Sequence, residues 1–308
     1  MERASLAGRR VLVTGATGQL GGYLLPALQR ARAVPVALAH RDGEGVDLVA
    51  DVADPAQVAA AFAEARPDVV IHGAAWTDVD GAERDPAGAR RANVDGARVV
   101  AEAARDAGAH LVAVSTDFVF SGLGGAPYAE DAPTDPVSEY GRSKRDGELA
   151  VLAVDPSFAV ARTAWLYGGT GKHFPRTVLS VVLNRGGIEV VDDEAGSPTF
   201  AGDLAEALMA LASARGAGVF HLANSGRATR YGFAREVARL AGLAEGAVTP
   251  TTTEAFLAKY PLPARRPADS ELRNVRAAAL GIALRPWQDA ASDYVPRLAA
   301  ELGIGAAG

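Results

Sequence analysis

RRVLVTGATGQLGGYLLPAL, residues 9–28, decides the fold of this chain. A β-branched apolar run (9–14) passes without a break into a glycine-rich turn and then into a Leu/Ala-rich helical pattern. Gly15, Gly18 and Gly21 recur at every third position. Between a buried strand and a helix start, glycines let the backbone turn tightly and approach a pyrophosphate. The helix N-terminus then offers unpaired N–H groups and a partial positive charge. The position of the motif predicts a dinucleotide site at the first strand–helix junction; a plain glycine-rich turn is the simpler alternative.

Working outward, buried strands are predicted at 9–14, 34–39, 68–75, 110–115 and 158–163. Helical stretches near 18–32, 55–65, 86–107 and 138–155 alternate with them. This alternation is the pattern of a parallel sheet covered on both faces. The fold class predicted is α/β, a Rossmann-like doubly wound parallel sheet with a smaller mixed α/β C-terminal substrate domain. Beyond residue 164 the pattern loosens into a GGTGK turn (168–172), helices near 173–185, 202–215 and 230–242, strand-like runs at 188–191 and 219–224, and a Pro/Arg-rich loop (260–272). The expected division is 1–163 for dinucleotide binding and 164–308 for substrate, with part of 201–242 packing back on the first region.

The 308 residues are 49% hydrophobic, enough for a full core, and carry a net charge of −6, which argues against general nucleic-acid binding. There is no cysteine, so thiolate catalysis, disulfides and Cys-ligated zinc are excluded. The apolar runs are too short to span a bilayer, and MERASLAGRR (1–10) has no signal-peptide core. A cytoplasmic location is expected. The five histidines show no ligand spacing; His72, His110 and His221 lie in apolar runs and are read as packed side chains, and no metal site is predicted.

EYGRSK (139–144) places Tyr140 and Lys144 four residues apart, on one face of a helix. A phenol ionises near pH 10 in water, and burial raises it further. A neighbouring ammonium stabilises the phenolate, so the expectation is that Lys144 lowers the pKa of Tyr140. The segment LAHRDG ends the second strand, where an acidic residue favours NAD and an arginine accommodates the NADP phosphate. Arg41 stands first, with Asp42 behind it, which leans towards NADPH while leaving NADH open.

TGATGQLG (14–21), AAWTDVDGAE (74–83), STDFVFSG (115–122), YGRSK (140–144), RTAWLYG (162–168), DDEAGSPT (192–199) and RPADSEL (266–272) together resemble the extended short-chain dehydrogenase/reductase family, and within it the dTDP-4-dehydrorhamnose reductases. The resemblance runs over nearly the whole chain, in order. It implies that Tyr140 protonates a carbonyl oxygen as hydride reaches the carbon, and that Thr116 hydrogen-bonds the same oxygen. Gly15, Thr17, Gly18, Gln19, Leu20, Gly21, Arg41, Asp51, Val52, Ala74, Ala75, Tyr140 and Lys144 are implied at the cofactor. Thr77, Val79, Thr116, Asp117, Trp165 and Arg266 are implied at the substrate, with Arg266 and Arg273 beside a diphosphate.

Simpler readings stand beside these. Thr116 and Asp117 could cap a turn, Thr77–Asp80 could be a helix-starting capping box, Trp165 could be core, and Arg266 and Arg273 could be solvated. Two departures from the family pattern are Phe118, where tyrosine is usual, and Ser138, where asparagine is usual. The implied partner is a dTDP-linked 4-keto-6-deoxyhexose; magnesium and a homodimer occur in some family members, and no local cluster here establishes either. The activity implied is NADPH-dependent reduction of dTDP-4-dehydro-L-rhamnose. Alternatives are 4-ketoreduction of another dTDP-4-keto-6-deoxysugar and a non-catalytic dinucleotide-binding regulatory subunit. Dehydration is disfavoured, because Thr116-Asp117-Phe118 lacks the glutamate that dehydratases place after the aspartate.

Overall fold

The computed structural model describes residues 5–304, so the first four residues of the 1–10 stretch and the last four of the chain lie outside the described residues. The first region runs β1 (Arg10–Thr14), α1 (Gly21–Arg30), β2 (Val34–Ala39), β3 (Leu48–Val49), α2 (Pro55–Ala65), β4 (Val69–His72), α3 (Val79–Arg84), α4 (Pro86–Arg90), α5 (Gly96–Asp106), β5 (His110–Thr116), α6 (Glu139–Val154) and β6 (Ala159–Thr163). The second runs β7 (Leu166–Tyr167), α7 (Phe174–Arg185), β8 (Ile188–Val191), β9 (Ala195–Gly196), β10 (Thr199–Phe200), α8 (Ala201–Ser213), β11 (Gly218–His221), β12 (Ala228–Thr229), α9 (Arg230–Leu240), β13 (Val248–Thr251), α10 (Thr253–Lys259), α11 (Val275–Ala279) and α12 (Trp287–Glu301).

One seven-stranded sheet has the order β11-β6-β5-β4-β1-β2-β3, with every pair parallel. The order steps outward from β1 in both directions, so a crevice opens at the carboxyl ends of β1 and β4, where the strand order reverses. The apolar strands bury both faces. One is covered by Leu24 and Leu28 of α1 with Leu204 and Leu208 of α8; the other by Val58 and Phe62 of α2 with Val100 of α5. Residues 201–221 thus return to the sheet after the chain has left it: α8 covers one face and β11 pairs with β6. A third core, built on Tyr167, Phe233, Trp287 and Tyr294, holds α7, α9 and α12 together.

The helix expected over 86–107 is interrupted by a π-helical turn at Arg91–Asp95, because Asn93 is anchored by its side chain. A short helix, α3, precedes it. Its N-cap is Asp78, whose carboxylate accepts from the Gly81 N–H at 2.9 Å, which corrects the expected Thr77 capping box by one residue. No helix among the described residues is long and apolar enough to cross a membrane.

Gly15 shows why the first turn needs glycine. Its φ is +71°, and a Cβ there would lie 2.8 Å from the Ala74 nitrogen. Gly15→Ala is expected to destabilise the fold by about 2 kcal/mol or more and to weaken binding of a dinucleotide at least about tenfold. Denaturant unfolding and cofactor fluorescence titration measure the two effects; unchanged values in both would show that the turn tolerates a side chain.

Candidate active site

The site sits at the carboxyl edge of the sheet. Turn 15–20 follows β1, and α1 begins without any side chain capping its first N–H groups. Leu20 buries its side chain in the core, while Thr17 and Gly18 are exposed. These features fit a dinucleotide pyrophosphate: the start of α1 is left uncapped, and the missing Cβ at Gly15 lets the turn close on the Ala74 backbone. Across the crevice, Thr14 Oγ1 lies 2.7 Å from His72 Nδ1 and accepts from the Ala74 N–H at 3.2 Å, which ties the 73–76 segment to β1. His72 is buried, and its pKa falls to about 3, first through desolvation and then through the Lys144 charge. It is therefore a neutral structural group.

Arg41 is exposed just past β2. Asp51 is bound to Arg91 Nη2 at 2.5 Å and accepts from the Ala53 N–H; burial pulls its carboxyl up, but these partners hold it below the usual range. Val52 packs against the backbone of Gly96.

Thr116 ends β5, and its Oγ1 donates to Asp117 at 3.0 Å while accepting from the Phe118 N–H at 3.2 Å. Turn capping is thus fulfilled at this residue. The same hydroxyl faces the phenol of Tyr140, on the first turn of α6. Ser138, fully buried, caps α6 by accepting from the Gly141 N–H, and the Glu139 N–H donates to Glu83 at 2.8 Å. A side chain at Gly141 would strike the Phe118 carbonyl at 2.3 Å, so the glycine lets α6 press on the turn after β5. The Phe118 ring meets Tyr140 edge-to-face at 5.5 Å, in place of the hydroxyl usual at that position.

Burial pushes the Tyr140 phenol up to about 12; the Thr116 hydrogen bond opposes the rise and the Asp117 charge adds to it. The expectation that Lys144 lowers this value is not met, because the ammonium is engaged elsewhere. Lys144 Nζ donates to the Val114 carbonyl at 2.8 Å. Its own pKa falls to about 8 through desolvation, opposed by Glu148 one turn further along α6. At neutral pH the phenol keeps its proton, the form that a reduction requires.

Asp117 is 1% exposed and desolvation raises its pKa to about 6, against hydrogen bonds from Ser270 and Thr116 and the charge of Arg230. Ser270 Oγ donates to it at 2.5 Å, which fastens the 260–272 loop to the sheet edge. Trp165, half-buried, adopts φ +46° and carries the Arg230 guanidinium 3.6 Å over its ring. Val79 packs beside Tyr140, whereas Thr77 is exposed. Arg266 donates to Asp80 at 2.6 and 3.1 Å and to the Ala264 carbonyl at 2.7 Å, which occupies three of its five N–H donors; Arg273 is exposed.

Sequence reasoning passed over Asn93. Its side chain accepts from the Trp76 N–H at 2.8 Å and donates to Ser143 at 2.9 Å, joining the 73–76 segment to α6. A buried asparagine in a helical run was its sole signal. Glu148, Arg230 and Ser270 were also missed; each belongs to the site through a charge or a bond to Lys144 or Asp117.

The chain matches the family model described as RmlD substrate binding domain over residues 9–300. It is 45% identical over 294 residues to a probable dTDP-4,6-dihydroxy-2-methyloxan-3-one 4-ketoreductase of Streptomyces antibioticus, covering 94% of the chain and 96% of that protein. A dTDP-4-dehydrorhamnose reductase of Streptomyces griseus is 44% identical over 301 residues, covering 96% and 95%. Among solved structures, dTDP-4-dehydrorhamnose reductase of Bacillus anthracis in complex with NADP superposes with a TM-score of 0.86 at 33% identity, covering 93% of the chain and 98% of that structure.

Proposed function

Because the chain belongs to the RmlD substrate binding domain family and is an NAD(P)H-dependent oxidoreductase, we propose that it reduces the C4 ketone of dTDP-4-dehydro-L-rhamnose to give dTDP-L-rhamnose. The observation that carries the reading is the buried, protonated Tyr140 facing Thr116 at the strand edge, with Lys144 one turn along the helix. NADPH, when bound, supplies the hydride. Gly15, Gly18 and Gly21 with the open start of α1 would hold its pyrophosphate, Arg41 would meet the ribose phosphate, and Ala74 and Ala75 would leave room for it beside the backbone. The NADP in the Bacillus anthracis structure supports this choice.

Thr116 turns its proton from Asp117 to the ketone oxygen, Tyr140 grips the same oxygen, and the phenol releases its proton there as negative charge develops. Lys144 steadies the phenolate left behind and reaches the ribose; for this its ammonium leaves the Val114 carbonyl. The reading assigns residues 1–163 to the dinucleotide and 164–308 to the sugar nucleotide, with 201–221 lent back to the sheet. A second reading, 4-ketoreduction of another dTDP-4-keto-6-deoxyhexose, is favoured by the Streptomyces antibioticus relative and by Phe118 against the Tyr140 ring.

Loss of nicotinamide absorbance with dTDP-4-dehydro-L-rhamnose, followed by NMR of the product at C4, tests the assignment. One NADPH consumed per C4 carbinol formed is the expected result. Turnover with other 4-keto-6-deoxyhexose nucleotides alone would move the assignment to the second reading. No turnover with any of them, alongside tight binding of a protein partner, would make the chain a regulatory subunit.

A further inference from the structure

Arg230 opens α9, directly after the β9–β12 pair. Its side chain is 20% exposed, and its guanidinium lies flat on the Trp165 ring. Two carboxylates neutralise its charge: Glu194, 3.8 Å from Nε, and Asp117, whose field acts on it from the end of β5. Yet 3.8 Å is too long for a hydrogen bond. Among the described residues none accepts a hydrogen bond from this guanidinium. Five fixed donors are therefore held in place with their charge balanced and their bonds unmade. Arg266 is the contrast, with three of its donors filled by Asp80 and Ala264.

Three segments converge here. Thr116 and Thr163 are paired across β5 and β6, so Trp165, two residues on, stands beside the end of β5. Ser270 reaches Asp117 with its side chain, and its N–H donates to the Ala195 carbonyl. Arg230 donates its own N–H to the Glu194 carbonyl. The left-handed backbone of Trp165 is a strained conformation that the stacked guanidinium helps to hold.

We propose that Arg230 is a specificity-determining residue: with the Asp117 carboxylate it takes the hydroxyl on the sugar carbon next to the ketone. The inference rests on the 4-ketoreductase reading. Thr116 holds the ketone oxygen and Asp117 is its chain neighbour, so the acceptor lies one carbon away from the reacting centre. The hydroxyl donates to Asp117 and accepts from Arg230. A diphosphate is a poor occupant, since Asp117 and Glu194 would both repel it.

The test uses the full chain with a dTDP-4-keto-6-deoxyhexose and its 3-deoxy analogue. A site built to bond a hydroxyl rejects the analogue that lacks it. Wild-type kcat/KM should favour the hydroxylated sugar by about 10–100-fold. Arg230→Met should lower that value about as far, chiefly through KM, while the 3-deoxy sugar stays within about threefold and NADPH affinity is unchanged. Arg230→Lys should recover part of the loss.

The acid limb of the pH profile gives an independent readout. Arg230 is the cation acting on Asp117; Ser270 and Thr116 bond it, the Tyr140 phenol faces it, and Glu194 and Arg266 act through Arg230. Losing Arg230 raises the Asp117 pKa above about 6, so the limb moves to higher pH. Equal losses on both sugars, or no loss on either, would overturn the inference while leaving the ketoreductase reading standing. A wild type silent on every 4-keto sugar nucleotide would overturn both.

Discussion

Tyr140→Phe is expected to cut turnover by about 10²–10⁴-fold while NADPH affinity stays within about twofold. The ring keeps its packing against Ala82, Ala89 and Phe118, so the start of α6 is undisturbed. Only the hydroxyl is lost, and with it the proton and one of two donors to the developing oxyanion. Thr116 remains and sustains residual turnover, but it cannot replace the proton. Because burial holds the phenol near pKa 12, the wild-type acid is loaded at every pH used in an assay. The deficit should therefore be the same at pH 6 and pH 8. Steady-state NADPH oxidation and cofactor titration separate the two parameters; a variant turning over at the wild-type rate would remove Tyr140 as the acid.

Glu148→Ala is expected to cost about 3–5 kcal/mol of stability. Arg162 of β6 and Glu148 of α6 are 5% and 4% exposed, and Arg162 donates to both carboxylate oxygens at 2.7–3.1 Å. Ser115 adds a donor at 2.5 Å, and the guanidinium lies 5.1 Å over the Phe120 ring. Removing the carboxylate strands a cation between sheet and helix with no water to solvate it. Desolvation, rather than the lost attraction, dominates the cost. The double variant Glu148→Leu with Arg162→Met should regain most of the loss, because two apolar side chains leave no charge behind. Denaturant unfolding measures both; a loss below about 1 kcal/mol in the single variant would show that Arg162 finds another partner. Glu148 also supports the Lys144 charge, so turnover of whatever folds should fall too.

The first half of the fold was legible because its strands are apolar on both faces and its helices are bounded by caps and glycines. Asp54 before Pro55 and Ser138 before Glu139 announce their helices in local chemistry. The 248–301 region was not legible in detail. Strand β13 carries a proline and two threonines, and α12 has Pro296 in its interior, so neither follows its period cleanly. At the site, Thr116, Tyr140 and Lys144 were found from their spacing and motifs. Arg162 had a signal that went unread: an arginine inside the apolar run FAVART must have an acid facing it. Ser270 lay unread inside RPADSEL, and Arg230 had no signal, since what places it is the meeting of segments distant in sequence. The direction of the Tyr140 shift was misjudged for a related reason. Sequence spacing puts the lysine one turn away but does not reveal the Val114 carbonyl that occupies it.

The outermost strand of the sheet, β11, is supplied by residues 218–221, made long after its neighbour β6. While the polypeptide is emerging from the ribosome, β6 therefore presents an open edge, with Leu204 and Leu208 not yet there to cover the adjoining face. Release of a nascent chain at residue 200 would leave a sticky, unfinished sheet. The two regions are consequently not exchangeable cassettes, and a graft onto a relative would have to carry 201–221 along with the nucleotide half.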